Sequence, residues 1–96
     1  MEALMQFNSW DLGQLAAGAV VEVKLSGTEA NVKLLDASNF SAYKAADRHR
    51  YYGGHYNRSP IRLQVPTGGH WFITIDYGGF SGSGRAFVQV LSRVLA

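Results

Sequence analysis

The residues best equipped for chemistry in this 96-residue chain lie between Lys44 and Arg62. Lys44, Arg48, Arg50, Arg58 and Arg62 stand there against a single acid, Asp47, so the segment carries +4 where the whole chain carries +2. Tyr51, Tyr52 and Tyr56 are interleaved with them, as are His49 and His55. A guanidinium is a planar fork of donors that grips a phosphate or carboxylate through paired hydrogen bonds. A neighbouring tyrosine ring can stack on a base or a sugar. Arg48, Arg50, Tyr51, Tyr52 and Arg58 are therefore the expected contact residues of a non-enzymatic ligand- or protein-binding module. The expected partner is a protein or a small anionic ligand, and single-stranded nucleic acid or another polyanion is the alternative. The same residues also suit a structural role, in which tyrosines plug one end of a sheet sandwich and arginine stems cover apolar surface.

Other chemistries fail on spacing. Gly79-Phe80-Ser81-Gly82-Ser83-Gly84-Arg85-Ala86 has the length of a phosphate loop, but Arg85 and Ala86 replace the lysine and the hydroxyl that such a loop requires. The apolar run that follows has the pattern of a strand, where a helix amino end is needed to face the phosphates. A third glycine is missing for the dinucleotide fingerprint, since Phe87 occupies its place. Ser83 stands where the closing glycine of a nucleophile elbow belongs. His70 and Asp76 fall on one face of a predicted strand, but about 20 Å apart at the usual rise. His49, His55 and Asp47 could serve a small metal-dependent hydrolase, a third and weaker reading, because nothing in their spacing makes three ligands converge. No catalytic residue, metal or cofactor is expected.

Short runs of alternating polar and apolar residues supply the elements that must hold this segment in place. Val21, Val23 and Leu25 form one such run, Val32 and Leu34 a second, Ile61, Leu63 and Val65 a third, and Trp71, Ile73 and Ile75 a fourth. A period of two belongs to strands with one buried face. Ala86–Leu91 is apolar on both sides except at Gln89, which suggests a strand covered on both faces. Pro66-Thr67-Gly68-Gly69 has turn chemistry and predicts a hairpin from Ile61 to Tyr77. Gly78–Gly84 predicts a longer connection. Trp10–Ala17 is compatible with a helical turn. Ser38–Ala46 predicts a short helix with Ser38 as its N-cap and Phe40 and Tyr43 on one face. The expected fold is all-β, a small antiparallel β-sandwich with one short helix, forming a single domain over residues 1–96.

Composition agrees with that class. At 47% hydrophobic and 17% charged, the chain has too many apolar residues for intrinsic disorder. With no cysteine, it has neither a disulfide scaffold nor a thiolate-held metal. The longest apolar run, Leu15–Val21, is too short to span a membrane, and no basic leader precedes Lys24, so no membrane role and a cytoplasmic location are expected. Oligomeric state is left open, because exposed sheet edges can pair.

Several of these segments also carry a resemblance. Asp36-Ala37-Ser38-Asn39-Phe40 with Tyr43, Arg48-His49-Arg50-Tyr51-Tyr52-Gly53-Gly54, Arg58-Ser59-Pro60, Gly69-His70-Trp71 and Asp76 with Gly78-Gly79 resemble a family of small bacterial proteins catalogued only as a domain of unknown function. The match runs from about Gln6 to Leu91 and leaves Met1–Leu4 as an extension. The resemblance implies a stand-alone β domain, sometimes fused to TIR domains, and brings no activity or catalytic residues with it.

Overall fold

Alternation sorts the side chains onto two faces, and two sheets close over the apolar one. The computed structural model describes residues 7–27, 29–78 and 84–92. In chain order the elements are β1 (Phe7–Leu15), β2 (Val20–Gly27), β3 (Ala30–Asp36), α1 (Ala37–Lys44), β4 (Tyr52–Tyr56), β5 (Ile61–Gln64), β6 (Gly69–Asp76) and β7 (Gly84–Ser92). One sheet has the order β1-β6-β3-β4 and the other β5-β2-β7, with every pairing antiparallel. The expected all-β sandwich with one short helix is what forms.

Val21 and Val23 from one sheet meet Val32, Leu34, Ile73 and Ile75 from the other, all nearly or fully buried. Each such side chain contributes roughly 1.5–3 kcal/mol by leaving water. Trp71 joins them, and its indole N–H donates to the Thr67 carbonyl at 2.9 Å.

Four local expectations are corrected. Trp10–Ala17 is not a helical turn, because β1 continues through Leu15 and pairs with β6. A bulge between Asp11 and Gly13 shifts the register there. It lets Trp10, Leu12 and Leu15 all reach the core although their spacing changes from two to three. Gly13 takes φ +73°, and its N–H donates to the Asp11 carboxylate at 2.9 Å. The segment Ile61–Tyr77 is not a hairpin, since β5 pairs with β2 and β6 with β1 and β3. Its Pro-Gly turn crosses between the sheets. Nor is β7 covered on both faces: it is an edge strand, and Phe87 is 64% exposed. The Gly78–Gly84 connection lies largely outside the described residues.

The helix lies on the outer face of the four-stranded sheet. Its N-cap is Asp36, not Ser38, and the Asp36 carboxylate accepts from both the backbone N–H and the side-chain amide of Asn39, each at 2.9 Å. Phe40 and Tyr43 do share its buried face, packed with Leu35, Phe7 and Phe72. The Phe40 and Phe72 rings stack at 4.0 Å between centroids, and Phe7 meets Tyr43 edge-on at 4.9 Å. At the helix end Ala46 turns left-handed at φ 58°. Asp47 N–H then donates to the Ala42 carbonyl and Ala46 N–H to that of Tyr43, a Schellman closure. This turn throws residues 47–51 back across the sheet toward β4.

Candidate functional site

Lys33 is the fixed point of the site. On β3, Val32 and Leu34 face the core, so Lys33 emerges on the outer face beside the carboxyl end of α1. Its ammonium lies 3.0 Å from His49 Nε2, 4.9 Å from the Tyr43 ring centre and 4.5 Å from that of Tyr51. An ammonium has donors only, so Nε2 accepts. His49 Nδ1–H then donates to the Asp47 carbonyl at 2.9 Å, which makes the ring the neutral Nδ1–H tautomer in this arrangement. The two tyrosine faces add cation–π attraction.

Around this lysine a shallow hollow of about 950 Å³ is lined by Asn39, Asp47, Arg48, His49, Arg50 and Tyr51. The Arg48 N–H donates to the Asp47 carboxylate at 3.0 Å, and the Arg50 N–H to Asn39 Oδ1 at 2.7 Å. These bonds hold the backbone and leave both guanidinium groups exposed. Among the described residues, no carboxylate forms an ion pair with Lys33, Arg48 or Arg50. A second, smaller hollow of about 350 Å³ shares Lys33 and His49 and is walled by Phe7, Tyr43 and Lys44.

Beneath the site runs a buried polar chain. Asp76, 1% exposed, accepts from the Tyr43 hydroxyl at 2.5 Å, the Asn31 amide at 2.8 Å and Gly78 N–H at 2.9 Å. Burial, and then the Asp76 carboxylate, hold the Tyr43 hydroxyl well above the ordinary tyrosine range. The Thr74 hydroxyl beside it is buried and has no hydrogen-bond partner among the described residues.

Three of the five expected contact residues, Arg48, Arg50 and Tyr51, come together here. Tyr52 does not: it lies against the Trp71 ring at 6.2 Å, on the core side of β4. Arg58 follows the far end of β4, whose four residue steps span roughly 13 Å. Arg62 is held by Glu22 at 3.1 Å. The histidines are scattered. His55 contacts Asn31 at 3.0 Å and Glu29 at 3.3 Å, while His70 contacts Asp11 at 2.6 Å. The Gly13 N–H, and then His70, hold the Asp11 carboxyl below its usual range. No group of three metal-ligating side chains converges among the described residues. No helix among them is long and apolar enough to cross a membrane.

Sequence reasoning missed Lys33 and Asn39. Lys33 has the spacing of any solvent-facing strand residue, and Asn39 that of a helix surface residue. Only the return of residues 47–51 over α1 and β3 makes neighbours of them. The one available signal was Lys33 itself, a long cation in a short strand next to a helix.

The model of a family described as a domain of unknown function (DUF1883) matches residues 5–94. No curated protein and no solved structure matches the chain.

Proposed function

The chain belongs to the DUF1883 family; from the geometry of the site we propose that it is a non-enzymatic binding module whose hollow takes an anionic group carried by a small ligand or by another protein. The observation that carries this is Lys33, whose ammonium is walled by Tyr43, Tyr51 and His49 and has no carboxylate partner among the described residues. Arg48 and Arg50 frame it with donor forks that are likewise unpaired within the described fold. An ammonium flanked by two guanidinium groups attracts a phosphate or carboxylate, and the Tyr51 ring offers a stacking surface beside it.

Binding is favoured over catalysis by how the histidines are engaged. His49 bonds Lys33 and the Asp47 carbonyl, His55 meets Asn31 and Glu29, and His70 meets Asp11. Among the described residues none is hydrogen-bonded to a hydroxyl that it could activate as a nucleophile.

Titration of the labelled protein with inorganic phosphate and with short acidic peptides, followed by NMR, tests the proposal. The signals of Lys33, Arg48, Arg50 and Tyr51 should move together. Changing Lys33 to Met, or Arg48 and Arg50 both to Ala, should weaken binding at least tenfold, about 1.4 kcal/mol. Affinity should fall as ionic strength rises. Shifts confined to other surfaces, or affinity indifferent to these substitutions, would refute it.

A further inference from the structure

Resting on the anion-binding reading above, we propose that the partner is an extended, carboxylate-bearing segment of another protein that adds as a strand along β4. Its acidic side chains would sit on Lys33, Arg48 and Arg50.

β4 is the outermost strand of its sheet, paired with β3 on one side and with no strand on the other among the described residues. Native edges are commonly guarded by charge, proline, a bulge or brevity. β1, the opposite edge, carries Asp11 and a bulge. β5 has four residues, one of them Arg62, and lies between Pro60 and Pro66. β4 has none of these guards except brevity. From Tyr52 to Tyr56 it holds no Lys, Arg, Asp, Glu or Pro, and its register with β3 is unbroken. Gly53 and Gly54 leave both faces of the sheet bare of side chains at the middle of the edge.

The cationic hollow continues directly into this edge, since Tyr51 lines the hollow and Tyr52 opens the strand. A strand lying along β4 and running two or three residues past Tyr52 brings its side chains over the hollow, at about 3.4 Å per residue. Charge complementarity then selects carboxylates. Tyr51 and Tyr52 are 44% and 50% exposed. As consecutive residues they point to opposite sides of the chain, so an added strand would find a ring on each of its faces. In such augmentation main-chain hydrogen bonds give the affinity, and flanking side-chain sites give the selectivity. β7 is also an open edge, but the hollow around Lys33 does not reach it.

The test uses the full chain and three probes: inorganic phosphate, a peptide of alternating Glu and Thr, and an oligothymidylate. The peptide should bind at least tenfold more tightly than phosphate. It should slow hydrogen exchange of outward-facing β4 amides at least tenfold. Methylating alternate backbone nitrogens of the peptide removes donors and keeps every carboxylate, and should weaken binding at least tenfold. Equal affinity for the methylated peptide, with β4 amides unprotected, overturns strand addition while the anion site stands. No movement of the Lys33, Arg48 or Arg50 signals with any probe overturns the anion site, and strand addition with it. Tighter binding of the oligothymidylate than of the peptide assigns the edge to nucleic acid and overturns the proposed partner.

Discussion

Two neighbouring side chains on the outer sheet face have opposite fates: the Lys33 ammonium lacks a counter-charge in the described fold, while the Tyr43 hydroxyl is locked to one. Tyr43 donates to a carboxylate that is itself buried, so Tyr43→Phe strips Asp76 of one of three partners. Loss of a hydrogen bond to a buried charged group costs about 1.5–3 kcal/mol, which urea denaturation should show as a lower midpoint at unchanged slope. The alkaline behaviour has a definite sign. The folded-state hydroxyl titrates above the ordinary tyrosine value. Its contribution is therefore complete below about pH 10 and is lost as pH rises further, because the unfolded chain releases its proton first. Wild-type stability should fall more steeply above pH 10 than that of Tyr43→Phe, and parallel curves would contradict the buried pair. At this scale the sequence was partly legible. A cluster of Arg48, Arg50 and Tyr51 declares itself by composition. Lys33 and Asn39 do not, because nothing in a strand pattern or a helix surface says what will fold over it.

The strands were legible wherever the period of two was clean, as in Val21–Leu25 and Trp71–Ile75, and illegible where a backbone irregularity broke it. The β1 bulge imitates a helical spacing, and the Pro66–Gly69 turn gives no sign of whether the chain returns to its own sheet or crosses to the other. Proximity in sequence puts Tyr52 and Arg58 with Arg48, Arg50 and Tyr51 because it ignores the alternation and length of β4. That strand also supplies a paired test of local backbone geometry. Gly53 adopts φ +125°, and a Cβ there would lie 2.1 Å from the Val32 carbonyl oxygen, whereas a Cβ on Gly54 meets nothing within 4 Å. Gly53→Ala should therefore cost roughly 2–3 kcal/mol from strain and a displaced β3–β4 pairing. Gly54→Ala should stay within about 0.5 kcal/mol. Equal losses in thermal or chemical denaturation would mean that the β4 backbone is not as described. At the end of α1 the sign reverses. Ala46 sits at φ 58°, where an L side chain costs about 1 kcal/mol or more, so Ala46→Gly should raise stability by roughly 0.5–1 kcal/mol.

The molecule as a whole is a two-sheet sandwich with a third, partial layer. The inner core is sealed by both sheets, whereas the outer face of the four-stranded sheet is covered by one eight-residue helix resting on Phe40 and Tyr43. An isolated helix of that length does not persist in water, so α1 survives only by docking. Opening that layer exposes the few aromatic side chains of the outer cluster and leaves the inner core intact. It should therefore require less free energy than global unfolding. Amide exchange in the native protein should then show two tiers. β6 and β3, central in their sheet, should exchange near the global unfolding free energy, and α1 with residues 47–51 well below it. Because the hollow is built on that outer layer, an anion that bridges Lys33 to Arg48 and Arg50 should raise protection in the lower tier more than in the upper. Equal protection of α1 and β6 in the free protein would show that helix and sandwich open as one unit. The site would then be part of a rigid core instead of a layer that ligand binding can tighten.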